Sequence, residues 1–198
     1  MNMFMEKLTR RLVEFNIAKG KISSDDADLY EYGYMLLAEK IMIFIISISI
    51  AVFCNAFFEI ILLCVSFIPF RIYCGGYHAK SRMSCMILSG ISLVAGVYGI
   101  RIMKSVMSIE LFVIGAMIFG LVIIRYAPVD VEQKKITTSE QFFFRKIVLY
   151  VLVVEIVCGI ISLLMEEVIY ASGIWISMLL CACSIIGELV RRSLAWKL

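Results

Sequence analysis

His78 and Cys85 stand seven residues apart in the stretch FRIYCGGYHAKSRMSC, Phe70 to Cys85. His78 is the only histidine in the chain. An imidazole titrates near neutrality and can move a proton to or from a reacting group. A deprotonated cysteine is a nucleophile. Together they suit acyl transfer, and their spacing constrains the geometry. Seven residues of α-helix turn about 700°, so both side chains would share a face yet lie about 10 Å apart along the axis. That is too far for a hydrogen bond. A working pair therefore requires a helix that begins between them. Gly75 and Gly76 permit an unusual backbone before His78. Ser81 or Ser84 can cap a helix that starts just before Cys85. The cysteine would then lie in the first turn, where the macrodipole and free N–H groups favour a thiolate. The same N–H groups could form an oxyanion hole. The plain alternative is an interfacial histidine and a packing cysteine. Against it stands a loop holding Arg71, two glycines and His78, which packing does not require.

The elements around this loop are apolar. The chain has 198 residues, of which 62% are hydrophobic, and its mean hydropathy is +0.97. A soluble domain is nearer half apolar, so the excess requires lipid as a second solvent. The apolar stretches are continuous, unlike the alternating strands of a membrane barrel, so the spans are helices. A net charge of +3 is too small to imply nucleic acid and bears only on topology. Seven cysteines, most of them inside apolar runs, form no secreted-domain framework and no Cys-x-x-Cys. With one histidine, a zinc site would need thiolates gathered from scattered helices. No metal or cofactor is expected.

Residues 1–20 are not a signal peptide, because Glu6, Lys7, Arg10, Arg11 and Glu14 interrupt any apolar core. Met1, Met5, Leu8, Leu12 and Phe15 recur at helical spacing. This predicts an amphipathic helix, either on an anionic leaflet or packed on the rest of the protein. Ser23 or Ser24 can cap the helix that follows. Residues 41–70 are too long for one span and too short for two independent ones. They read as a hairpin turning near Asn55, its first arm starting before Ile41 and its second ended by Pro69. Further spans are expected at Cys85–Ile100, Ile109–Ile124, Ile147–Met165 and Ile169–Leu189, with 125–146 a polar loop. The count is six. It places Lys7, Arg10, Arg11, Arg71, Lys80, Arg82, Arg125, Lys134, Lys135, Arg145, Lys146, Arg191, Arg192 and Lys197 on one side. Arg101, Lys104 and the Glu166–Glu167 turn fall on the other. The positive-inside rule makes the basic side cytoplasmic. A five-span chain would move the Arg71 loop outside and fits the charges less well. The expected architecture is an all-α polytopic membrane protein of about six transmembrane helices with an N-terminal amphipathic helix. It forms a single domain over 1–198, with 71–85 a cytoplasmic active-site loop entering the third span.

Arg71, the run Gly75-Gly76-Tyr77-His78-Ala79 and Cys85 resemble the signature of the AgrB family, the accessory gene regulator protein B peptidases of Gram-positive bacteria. RYAPVD, Arg125 to Asp130, is similar to a second family segment. Many relatives carry a lysine-proline pair after it, whereas Lys135 is followed here by Ile136. The resemblance covers essentially the whole chain. It implies a homodimeric cysteine endopeptidase of the cell membrane, acting in quorum sensing on an AgrD-like propeptide. The enzyme removes the C-terminal part through an acyl-thioester, and the remainder cyclises to a thiolactone or lactone. It implies Cys85 as nucleophile and His78 as general base and later acid. Arg71 and Gly76 match positions needed for activity, and Gly75 is the other half of the glycine pair. Arg71 would bind an acidic propeptide tail, hold the loop by hydrogen bonds, or merely anchor at the interface. Asp130 is a candidate third member or a solvated loop acid.

The competing class is a small peptide exporter or transport subunit, in which the 71–85 loop gates and Glu155 lies on the path. A structural anchoring subunit is a third reading. Glu59, Glu110, Glu155 and Glu188 are acids within or near spans, each expected to face protein or water. Phe142–Phe144 reads as an interfacial aromatic belt.

Overall fold

The 30-residue apolar run breaks at Asn55. Helix α2 (Ala27–Phe53) ends there and α3 (Phe57–Cys74) begins. Asn55 takes the left-handed conformation, φ +49°, and the Ala56 N–H returns to the Ala51 carbonyl at 2.8 Å. This is a helix stop closed by a left-handed asparagine. The hairpin is therefore as expected, but its first arm starts fourteen residues before Ile41. Ser23 caps a single 3₁₀ turn, Ser24–Asp26, that leads into α2.

The computed structural model describes residues 2–77, 81–129 and 138–195. The remaining helices are α1 (Asn2–Ala18), α4 (Arg82–Val106), α5 (Ile109–Tyr126), α6 (Thr138–Leu164) and α7 (Val168–Ala195). Six helices, α2 to α7, are long and apolar enough to cross a membrane. The outward faces carry Phe44, Ile61, Val65, Leu121 and Tyr150, all exposed. Such surfaces belong in lipid, and the chain is a multi-pass membrane protein.

Helix α7 is the centre of the bundle. It packs against α3, α4, α5 and α6, and 56% of its apolar window is buried against at most 28% in the other spans. Helices approach closely where glycine faces a bulky neighbour: Gly115 under Trp175, Gly159 under Phe112, Gly173 under Leu62. A methyl group at any of the three would overlap the larger side chain. Trp175 Nε1 also donates to the Leu111 carbonyl at 3.3 Å.

Helix α1 packs on the rest of the protein, one of the two placements expected for it. Its Thr9 and Val13 are buried, and Asn16 Nδ2 donates to the Tyr34 hydroxyl on α2 at 3.3 Å. Leu8, Leu12 and Phe15 stay exposed. The helix thus packs on α2 with one face and leaves its apolar stripe exposed.

Three expectations need correction. Pro69 does not end α3, which continues to Cys74. Pro69 forfeits the bond to the Val65 carbonyl and crowds the turn before it, but the residues after it keep their own N–H groups, and the helix stops only where Gly75 turns left-handed. Helix α6 begins at Thr138 rather than Ile147, and α7 runs through Arg191 and Arg192. Hydropathy marks where lipid ends, whereas a helix continues into the interface. For the same reason Arg71 to Cys74 are helical, so the connection into the third span is 75–81 rather than 71–85.

Candidate active site

The link between α3 and α4 is built from two glycines and one arginine. Gly75 has φ +71° and Gly76 φ +114°, both left-handed values that favour glycine. Space excludes a side chain as well. A Cβ at Gly75 would overlap the Val129 carbonyl oxygen, and one at Gly76 would lie 2.5 Å from Ser184 Oγ and 2.9 Å from Arg71 Nη1. Gly75 pairs with Val129 in an isolated parallel bridge, and the Val129 N–H donates to the Cys74 carbonyl at 2.9 Å. The two sequence segments that carry the resemblance, 75–77 and 127–129, therefore lie side by side. The Ala127–Pro128 peptide between them and α5 is cis.

Arg71, in the last turn of α3, holds this connection. Nη1 donates to the Gly75 carbonyl at 3.0 Å and to Ser184 Oγ at 2.8 Å; Nη2 donates to the Tyr77 carbonyl at 2.6 Å. The Tyr77 N–H donates to the Ser184 carbonyl at 3.0 Å. Of the three roles open to Arg71, the geometry is that of loop-holding. Among the described residues no carboxylate reaches ion-pair distance of it.

Cys85 lies where the spacing argument requires. Helix α4 starts at Arg82, after Ser81, whose hydroxyl accepts from the Ser84 N–H at 3.1 Å. The Ser84 hydroxyl sits 2.8 Å from that of Ser81. Ser81 is thus the cap, and Cys85, half-buried, closes the first turn. The Cys85 N–H donates to the Ser81 carbonyl at 3.0 Å, and the Ser84 N–H is capped. Neither is free for an oxyanion, because both already complete the cap. His78, the expected base, and Asp130 lie outside the described residues, as do Lys134, Lys135 and Ile136.

The other acids have partners. Glu155 Oε2 accepts from Ser66 Oγ at 2.8 Å, joining α6 to α3; it pairs across helices. Glu188 is buried and held by Arg191 at 2.7 and 2.9 Å and by Arg192 at 3.1 Å. Glu59 pairs with Arg101 at 2.9 Å. Phe142 and Phe143 are exposed, and Phe144 packs on Tyr73. Among the described residues no cluster of three metal-binding side chains occurs. Ser184 and Val129 were not singled out in the sequence. Ser184 sits in an apolar run, CACSII, with nothing to separate it from an ordinary span residue.

These features define a class: a polytopic helical membrane protein with a cysteine in the first turn of one span, next in sequence to a loop clasped by a half-buried arginine. The family AgrB, accessory gene regulator B, matches residues 5–186, and the chain belongs to it. No curated protein and no solved structure matches the chain. Membership brings accessory gene regulator function, a role of the protease kind, and involvement with an AgrD-type propeptide.

Proposed function

We propose that the protein is a cysteine endopeptidase that cuts an AgrD-like propeptide. The carrying observation is the break between α3 and α4, which ends the helix at Cys74 and restarts it at Arg82. His78 precedes the new helix by four residues, and Cys85 lies in its first turn. The obstacle that an unbroken helix would impose on the pair is absent.

In this reading His78 takes the Cys85 proton, and the sulfur attacks the scissile carbonyl of the propeptide. The tetrahedral intermediate collapses to an acyl-thioester as the peptide C–N bond breaks. The proton passes from His78 to the amine of the departing C-terminal part. A thiol or hydroxyl of the retained part then attacks the thioester, releasing a thiolactone or lactone and regenerating the Cys85 thiol. A thioester hydrolyses readily, so cyclisation requires restricted water. A first turn at the end of a membrane span supplies such a place. Arg71 and the glycine pair hold the loop that carries His78.

The same reading makes residues 1–198 one peptidase domain that works as a homodimer in the cell membrane of a Gram-positive bacterium. The 75–81 loop and both termini face the cytoplasm, and the exposed stripe of α1 rests on the inner leaflet. A reporter fused at Ser81 is expected to give a cytoplasmic signal; an extracytoplasmic one would overturn the orientation.

Co-expression with a cognate propeptide tests the activity. Cys85→Ala and His78→Ala are each expected to abolish cleavage, and Cys85→Ser to abolish it or leave a trapped ester. Cleavage unchanged in Cys85→Ala would sink the proposal.

A further inference from the structure

Tyr77 is the residue immediately before His78, and both of its main-chain groups are engaged. Its N–H donates to the Ser184 carbonyl at 3.0 Å. Its carbonyl accepts from Arg71 Nη2 at 2.6 Å. Arg71 Nη1 in turn donates to Ser184 Oγ at 2.8 Å. The three residues thus close a ring: Tyr77 to Ser184, Ser184 to Arg71, Arg71 to Tyr77. Ser184 contributes twice, once through its backbone and once through its hydroxyl.

The ring ties the loop to the best-anchored element. Ser184 stands on α7, between the buried Cys181 and Ile185 and one turn before the buried Glu188. A loop fixed only to the end of its own helix α3 would move with that end. A loop fixed to α7 is referred to the centre of the bundle, against which α4, the helix bearing Cys85, also packs.

We propose that Ser184 is a positioning residue for the reaction: its hydroxyl orients the Arg71 guanidinium, and its carbonyl and that guanidinium hold the two peptide groups on either side of Tyr77, the second of which leads into His78. This rests on the peptidase reading above. The hydroxyl leg is separable from the backbone leg. Ser184→Ala removes one of the two acceptors of Nη1, the Gly75 carbonyl remaining, and leaves the Tyr77 N–H bond. Ser184→Thr keeps the hydroxyl.

The test uses full-length protein in detergent or vesicles with a synthetic propeptide. Ser184→Ala is expected to lower the rate of acyl-thioester formation about tenfold, the effect of one charge-assisted hydrogen bond, with KM unchanged. Ser184→Thr is expected to recover most of that rate. Cys183→Ala, an exposed neighbour on α7, serves as the control at wild-type rate. The second readout is the pH profile of Cys85 alkylation by iodoacetamide. A loosened His78 changes the inflection in Ser184→Ala, whereas a merely structural serine leaves the profile unmoved while the melting temperature falls. Full activity with an unchanged profile in Ser184→Ala, alongside an inactive Cys85→Ala, would overturn the role of Ser184 and leave the peptidase standing. An active Cys85→Ala would overturn the peptidase itself.

Discussion

Arg71 and Arg101 sit at opposite faces of the bundle, and each ties down the chain between two spans. Arg101 Nη2 donates to the carbonyls of Cys54 and Asn55 at 3.0 and 2.9 Å, and its Nε meets Glu59 at 2.9 Å. Arg71 holds the carbonyls of Gly75 and Tyr77 and the Ser184 hydroxyl. Both bond two turn carbonyls and one side chain. They differ in charge balance and exposure. Arg101 is 39% exposed and neutralised by a carboxylate. Arg71 is half-buried, with neutral acceptors only. A cation kept from water without a counter-ion costs free energy. A three-residue turn like that at Asn55 has no need of it. The arginine that closes a structural turn is compensated locally. The one that clasps the 75–77 link has neutral oxygens as its partners.

The strongest way to break this contrast is at Arg71. Arg71→Ala leaves two turn carbonyls and Ser184 without their donor, each bond to a charged group being worth about 1.5–3 kcal/mol. Propeptide cleavage is expected to fall by about 100-fold or more. Arg71→Lys should not restore it, because an ammonium lacks the planar fork that spans acceptors on both sides. A lysine variant cleaving at nearly the wild-type rate would show that charge alone suffices and that the clasp does not matter.

Next in size is Gly76→Ala. The residue would keep φ at +114° and bring its methyl carbon 2.5 Å from Ser184 Oγ and 2.9 Å from Arg71 Nη1. Left-handed strain is worth about 1–3 kcal/mol, and the overlap adds to it. At least about tenfold loss of cleavage is expected, read in the same assay. Wild-type cleavage would mean that the loop moves away from α7 without penalty.

Much of this architecture was legible in the chain. The six spans, the break at Asn55 and the cap at Ser81 each have a local signature: apolar length, a polar interruption, a hydroxyl before a helix. The requirement that a helix start between His78 and Cys85 followed from rise per residue alone. The clasp was not legible. Arg71 meets Ser184 across 113 positions, and Gly75 meets Val129 across 54; such pairings leave no periodic trace. The sequence showed that the glycines were unusual, but not that Val129 and Ser184 were what left no room for a side chain. Helix ends at Thr138 and Ala195 were missed because hydropathy reports lipid, not hydrogen bonding. Pro69 misled because a proline forfeits one bond and crowds the turn before it, a local cost that the packing of α3 on α6 and α7 outweighs.

The outer clasp should respond weakly. Arg101→Ala removes an exposed pair with Glu59 and two turn bonds. Cleavage is expected to stay within about twofold of wild type, as for other exposed ion pairs, while thermal stability in detergent falls slightly. Glu59→Gln should do less, since a neutral amide oxygen still accepts from Arg101. A large loss of cleavage in Arg101→Ala would mean that the two faces are coupled and that the contrast with Arg71 is one of degree.

The smallest effect is expected at Asn55, which separates turn geometry from function most cleanly. Its φ of +49° is open to asparagine and glycine and costs other L-residues about 1–2 kcal/mol. Asn55→Gly should leave the melting temperature and cleavage almost unchanged. Asn55→Ala should lower the melting temperature and leave cleavage alone, because the Cys54–Ala56 turn lies across the bundle from Cys85. Arg101 still holds its carbonyls in both variants, so any loss in Asn55→Ala reports the backbone rather than the clasp. If cleavage instead fell in step with the melting temperature, the positions of α2 and α3 at the far face would be setting the 75–81 loop. The site would then be a property of the whole bundle, and α7 would not be the frame to which the loop is referred.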